Sequence, residues 1–365
     1  TPLVQKFNVS YKDLPVAVYQ IQSKFRNEAR AKSGLLRGRE FRMKDLYSFH
    51  TSEESLKKYY ETAKEAYWKV YTRLGLKEDT YIALASGGDF TKDYSHEFQV
   101  RCEAGEDLLF RVKSKDLSFN REVAPSKAVD PAVETEQKIM EDVYGENIIG
   151  VDDLVKFLNE TVEKTVKTLI YETESQEVVV AALRGDYEIN EEKLLKIVDC
   201  KSLTLAREEV VKKVTGAEIG YAGILNLPEN IRVFIDDSIQ YLTNFEVGAN
   251  KTHYHSFNVN CDRDIKRPDK FYDFKLAKEG DLFPETGEAY EVFRACEVGN
   301  VFPLNTKFSK AFNYFYTDEN GEEQIVYMGS YGIGTSRLMG VIVEKFSDEK
   351  GIIWPEAVAP YKVHL

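Results

Sequence analysis

Polar and apolar side chains alternate between positions 18 and 28. Gln20, Gln22, Lys24, Arg26 and Glu28 fall on one face, and Tyr19, Ile21 and Phe25 on the other. A period of two predicts a strand with one packed and one polar face. Residues 14–50 together read as a strand, a basic loop and a second strand. The period then lengthens: Leu56, Tyr59, Ala63, Tyr67, Val70, Tyr71 and Leu74 recur at helical spacing. They predict a helix that opens on a capping box of Thr51 and Glu54 and stops at Gly75.

From about 116 to 147 the alternation lapses into charged sequence containing Pro125 and Pro131, which predicts a domain boundary. Beyond it lie an amphipathic helix (Val151, Leu154, Val155, Leu158), strands at 167–171 and 178–183, and a helix near 203–214. A glycine loop at 216–223 and a strand at 231–235 complete a mixed α/β unit. An irregular acidic stretch at 279–291 follows. The last part of the chain holds 301–316, a strand at 324–328, a glycine turn and a helix from 335 to 345.

A chain of 365 residues with 43% hydrophobic and 12% aromatic content exceeds what one core usually fills, so two domains are expected. No apolar run is long enough to cross a bilayer, and the first residues carry no secretory pattern, so we expect a cytoplasmic protein without membrane contact. The formal net charge of −12 excludes wholesale wrapping of nucleic acid; DNA is not an expected partner, and RNA contact must be local. Cys102, Cys200, Cys261 and Cys296 are too dispersed for a disulfide framework or a zinc ribbon. The chain opens on Thr1 and closes on an alternating run, 361–365, that reads as a strand beginning. Further sequence is therefore expected at both ends.

The segment most informative about chemistry is Phe25-Arg-Asn-Glu28, a loop with Arg30, Lys32 and Arg37, and then Phe41 through Asp45. Folded as an antiparallel hairpin, it gathers Arg26, Glu28, Arg37 and Phe41 on one surface. Guanidiniums recognise phosphate through paired donors, an aromatic face stacks a purine, and a carboxylate accepts from an exocyclic amine. That surface suits a nucleotide.

Phe25, Arg26, Glu28, Arg37, Phe41 and Asp45 together resemble motif 2 of the class II aminoacyl-tRNA synthetases, and 329–337, Gly-Ser-Tyr-Gly-Ile-Gly-Thr-Ser-Arg, resembles motif 3. The segments 19–25, 39–50, 95–98 and 297–302 are similar to bacterial-type prolyl-tRNA synthetases in particular. The resemblance implies an α+β fold: a class II antiparallel sheet flanked by helices and interrupted by a mixed α/β editing insertion. It divides the chain into catalytic core at 1–121, insertion at 122–285, core again at 286–357, and the start of a truncated anticodon-binding domain at 358–365.

The same resemblance implies proline activation by ATP with Mg²⁺ and transfer to tRNA(Pro), in a full-length protein that is a homodimer. Arg26 would meet the α-phosphate, with Arg26 and Arg337 the catalytic residues. Arg37 and Arg337 would grip the γ-phosphate, Glu28 and Phe41 would hold adenine, and Gly332 and Gly334 would shape the nucleotide site. His50, Glu97 and Ser330 would border the proline pocket. Ligands for the magnesium are not assigned. The alternatives are a synthetase for threonine, serine, glycine or histidine, and a non-catalytic tRNA-binding regulator.

Size gives the insertion its logic. Alanine lacks two methylenes of proline, worth roughly 1.6 kcal/mol or about 15-fold by burial alone, so a pocket that fits proline admits alanine. Segments 162–169, 184–191, 215–217 and 248–250 resemble the family's editing domain. That resemblance assigns Lys167 to the terminal adenosine of tRNA, Asp236 to the aminoacyl ammonium, His255 to the alanine pocket and Gly220 to the substrate loop. Ile224 stands where the family loop carries a proline. His253, His255 and Cys261 raise a metal site, but strand histidines are the ordinary reading and no metal ligand is assigned.

Overall fold

The computed structural model describes residues 1–88, 90–91, 93–131, 134 and 136–363. Of the stretch 358–365 expected to begin a further domain, His364 and Leu365 lie outside the described residues. The chain divides into two compact units, one formed by Thr1–Val123 with Glu291–Leu365 and the other by Ala124–Tyr290.

The discontinuous unit runs α1 (Pro2–Gln5), β1 (Val16–Phe25), β2 (Glu40–His50), α2 (Glu53–Arg73), β3 (Thr80–Ala85), β4 (Ser95–Arg101), β5 (Asp107–Val112) and β6 (Leu117–Asn120). The continuous unit supplies β7 (Glu141–Tyr144), α3 (Val151–Leu158), β8 (Val166–Thr173), β9 (Val178–Arg184), α4 (Glu191–Val198), β10 (Leu203–Leu205) and α5 (Glu208–Thr215). It ends with β11 (Arg232–Ile235), β12 (Phe245–Gly248) and β13 (Tyr254–Val259). The first unit then resumes with β14 (Glu291–Asn305), α6 (Lys307–Ala311), β15 (Phe315–Thr317), β16 (Glu323–Ile325), β17 (Tyr327–Ile333) and α7 (Thr335–Lys345).

In the first unit eight strands join in the order β1-β2-β17-β14-β4-β3-β6-β5. Every pairing is antiparallel except β3 with β6. Strand β5 also pairs with the first residues of β14, which returns that end of the sheet upon itself. Strand parity sorts the side chains. Ser48 and His50 of β2, Phe98 and Val100 of β4, and Tyr331 and Ile333 of β17 point to the face covered by α2 and α7. There Tyr60, Ala63, Tyr67 and Tyr71 of α2 meet Leu338, Val341 and Ile342 of α7 in the core.

Helix α2 starts one residue later than its sequence suggests. Its cap is Ser52, whose hydroxyl accepts from the Ser55 amide at 3.2 Å, rather than Thr51. Gly75 closes it at φ +76°, a conformation a β-carbon disfavours. Another expectation is corrected at β1, whose apolar face does not pack: Tyr19 is 72% and Phe25 75% exposed. β1 is the first strand of the sheet, and α2 packs chiefly on β14, β17 and β2.

In the second unit β10, β8, β9 and β11 form one sheet, with β9 and β11 parallel, and β12, β13 and β7 form another. The helix expected near 203–214 is a short strand followed by α5. Residues 203–205 pair with β8, a partner some thirty residues back that local periodicity does not reveal. Ile224 is buried in the apolar core with Val247, Phe245 and Ile239.

Candidate active site

The face of the first unit's sheet opposite α2 and α7 floors a cavity of 890 Å³. Its lining includes Arg26, Glu28, Arg37, Phe41, Glu97, Glu297, Asn300, Ser330, Gly332, Gly334 and Arg337. Parity again explains the selection. Lys24 pairs with Phe41 across β1 and β2, so the even positions of β1 share the cavity face with the odd positions of β2. Ser330 and Gly332 of β17 sit between Tyr331 and its core-facing neighbours and therefore look the other way.

The three guanidiniums occupy different settings. Arg26 lies over the ring of Phe41, 5.1 Å from its centroid, and forms no ion pair among the described residues. Arg37 places Nε 2.9 Å from Glu28 and Nη1 2.5 Å from Glu106, so that its own proton is held more tightly and both carboxyls fall below their ordinary range. Arg337, in the first turn of α7, donates from Nε to the carbonyl of Leu36 at 2.8 Å. Its Nη1 donates to Glu297, at 3.1 Å to the carbonyl and 3.0 Å to the carboxylate. The Leu36 carbonyl belongs to the residue beside Arg37, so α7 and the loop after β1 are tied where both cations enter the cavity. The start of α7 is fastened to β2 as well: Thr335 Oγ1 donates to the Arg42 carbonyl and Ser336 Oγ accepts from the Arg42 amide.

Glu97 is buried and lines the cavity. Burial first, and the neighbouring Glu297 charge second, push its carboxyl up to about 8. Asn300 donates to Glu97 Oε1 at 3.2 Å, while its own Oδ1 is buried without a partner among the described residues. Neither Asn300 nor Gln99 stands out in the sequence, although Gln99 lies two residues after Glu97 and must share its face. That offset was the available signal.

His50 is not at the cavity. It occupies an even position of β2 and is buried on the α2 side, with Nδ1 2.9 Å from Ser55 Oγ, its ring against Tyr59, and Nε2 buried without a partner among the described residues. Loss of water lowers its pKa to about 4, so it is neutral. The expectation that it borders an amino-acid pocket is corrected by strand parity.

In the second unit the four residues assigned to editing have unlike environments. Lys167 of β8 is half-buried; removal from water lowers its pKa against the pull of Glu188, Asp186 and Asp152. Gly220 adopts φ +98°, and a β-carbon there would meet Ile149 Cγ2 at 2.5 Å. These two remain available to a substrate loop and its rim.

Asp236 does not. It is fully buried, and its oxygens accept from the amides of Ser238 at 2.9 Å, Phe274 at 2.9 Å and Lys275 at 3.0 Å, with the Lys275 ammonium 3.6 Å away. Lys275 is itself fully buried among Asp236, Asp237 and Asp273. Asp236 is thus a structural acid that joins β11 to segment 273–275. His255 is buried too, with Nδ1 2.8 Å from Glu246 and Nε2 2.9 Å from the Ile148 carbonyl, so neither ring nitrogen is free for a ligand. Both His253 and His255 pack on the ring of Tyr221 beside Gly220, with centroids at 5.3 and 5.5 Å, and His253 Nδ1 also lies 3.2 Å from the Tyr221 hydroxyl.

A sequence profile of the tRNA synthetase class II core domain (G, H, P, S and T) matches residues 2–346. Among curated proteins, a proline-tRNA ligase of Brachyspira hyodysenteriae is 41% identical over 97% of this chain and 61% of its own length. Others from Sulfurihydrogenibium sp. and Listeria welshimeri are 43% and 39% identical over the whole chain and 64% of their own length. The chain thus spans rather more than three fifths of these relatives, 61% to 64%.

Proposed function

The chain belongs to the family of class II tRNA synthetase core domains, and from that membership we propose that it serves a proline-tRNA ligase, activating proline with ATP and passing it to tRNA(Pro). The observation that carries this reading is the convergence of Arg26, Arg37 and Arg337 with Glu28 and Phe41 on one cavity. The similarity to proline-tRNA ligases over nearly the whole chain supports the choice of amino acid.

In the proposed reaction the proline carboxylate attacks the α-phosphorus of ATP, and the bond from phosphorus to the bridging oxygen of pyrophosphate breaks. Arg26 stabilises the charge that develops at phosphorus; to do so it turns from the Phe41 ring, which is then free to stack adenine. Arg37 and Arg337 exchange their carboxylate partners for phosphate oxygens and hold the triphosphate bent. Glu28, released by Arg37, accepts from the adenine amine. Glu97 faces the proline nitrogen and Ser330 lines the same cavity. Gly332 leaves room above β17, since a β-carbon there would project toward Asp45, 3.7 Å away, on the cavity side.

Among the described residues no three His, Cys, Asp or Glu side chains converge as a metal cage. Magnesium commonly takes one or two protein oxygens and completes its shell with phosphate and water. Glu297 and the orphaned Asn300 Oδ1 fit that demand and would hold it. When bound, the ion would neutralise charge on the leaving pyrophosphate.

We assign the second unit to hydrolysis of alanyl-tRNA(Pro), with Lys167 and Gly220 at the substrate. Asp236 and His255 are left out because their polar atoms are already engaged.

Pyrophosphate exchange measured with each amino acid tests the reading. Proline alone should support it, and Arg26→Ala should lower it by roughly a hundredfold or more. Exchange driven instead by threonine, serine, glycine or histidine would reassign the substrate. ATP binding without any exchange would favour a regulator.

A further inference from the structure

Gln99 is fully buried on β4, two residues from Glu97, and its Nε2 is shared between two carboxylates. It donates to Glu97 Oε2 at 2.8 Å and to Asp107 Oδ2, on β5, at 2.8 Å. Its Oε1 is buried with no partner among the described residues. Turning the amide over would set that oxygen against two carboxylates, so the pair dictates the orientation and the orphaned oxygen is the cost. A buried amide left half-satisfied is uncommon unless it fixes something else.

What it fixes is Glu97. Oε2 of Glu97 also accepts from Asn120 Nδ2, on β6, at 3.1 Å, and Oε1 accepts from Asn300 Nδ2 at 3.2 Å. Facing the substrate's ammonium, whose charge favours the ionised acid, Glu97 is a carboxylate, and each carboxylate oxygen has room for about two donors. Oε2 is therefore filled by Gln99 and Asn120, whereas Oε1 retains one lone pair, and Glu97 lines the cavity.

We propose that Gln99, with Asn120, is a positioning residue for amino-acid recognition: it saturates one oxygen of Glu97 so that the other presents a single acceptor position to the substrate's ring nitrogen. The inference rests on the proline-activation reading and adds to it a reason for discrimination. A cyclic secondary ammonium has two N–H donors in fixed directions where a primary ammonium has three on a freely rotating head, so one fixed acceptor favours the ring nitrogen, whereas a carboxylate free to rotate would serve any amine equally.

The test is Gln99→Met, which keeps length and removes the donors, assayed by pyrophosphate exchange. KM for proline should rise about tenfold, with KM for ATP within about twofold of the parent. Tetrahydrofuran-2-carboxylate, which carries ring oxygen in place of the N–H, should inhibit parent and variant equally, because it makes no use of the acceptor. Asn120→Ala should show the same selective pattern at smaller size, and it carries the test if Gln99→Met does not fold. An unaltered KM for proline overturns the inference, as does a parallel loss of affinity for proline and for the oxygen analogue, which would mark a packing defect. No proline-dependent exchange by the unaltered full-length protein would overturn this inference together with the proline reading, whereas normal exchange with an indifferent Gln99→Met overturns the inference alone.

Discussion

The Nε of Arg37 lies 2.9 Å from the carboxylate of Glu28, so two residues assigned to opposite ends of a nucleotide are paired with one another. The pair ties the end of the loop, at Arg37, back to its start at Glu28. It also means that ATP must displace a partner at each end. Glu106 adds a second such contact on the same guanidinium.

Removal of that second contact should favour ATP. Arg37 is partly exposed, and exposed ion pairs are worth about 0.2–1 kcal/mol, which corresponds to a factor of about 1.4 to 5. Glu106→Gln is therefore expected to lower KM for ATP within that range and leave KM for proline alone. An increase in KM for ATP would show that Glu106 orients Arg37 rather than competing for it.

Lys167→Ala should separate the two proposed activities. Exchange with proline is expected to persist within about twofold, while hydrolysis of alanyl-tRNA falls by about tenfold or more, the size of a lost charge-assisted contact. Equal loss of both activities would show that the second unit's assignment is wrong.

Asp236 gives the opposite expectation. Its side chain ends four hydrogen-bonding or ionic contacts in a dry interior, so Asp236→Ala strands three amides and part of the Lys275 charge. A cost of about 3 kcal/mol or more in denaturant unfolding is expected. A variant with unaltered stability and a raised KM for aminoacyl-tRNA would restore the ligand-binding role.

His50 makes stability depend on pH. Its pKa is lowered to about 4 by burial, and that of His96 likewise, from an ordinary value near 6.5. Between those values the unfolded chain holds more protons than the folded one, so stability falls as pH drops from about 6.5 towards about 4. His50→Gln should reduce the fall in melting temperature over this interval. A pH profile identical to that of the parent would place the acid sensitivity elsewhere, in His96 or the carboxylates.

Much of the candidate site was readable because it follows from strand parity and from motifs confined to short stretches. Arg26 and Glu28 share a parity by counting alone, Phe41 joins their face through the Lys24–Phe41 register, and Arg337 follows a glycine turn at the head of a helix. Parity also held the correction for His50, since it lies an odd number of positions from Phe41 on one uninterrupted strand and so faces the opposite layer. Gln99 was legible in the same way once Glu97 was singled out.

What the chain order by itself determined was which residues alternate, where the helices at 53–73 and 335–345 begin and end to within a turn, and which cations are available to phosphate. Tertiary structure alone decided which carboxylate each cation meets, that Asp236 and His255 are sealed inside, that Tyr19 and Phe25 stay exposed, and that 203–205 is a strand. The physical reason is range. Periodicity and capping act through neighbours a few positions away, whereas burial and hydrogen-bond partnership are set by segments as distant as Asp236 and Lys275, or Leu36 and Arg337, which meet only after the sheets have formed.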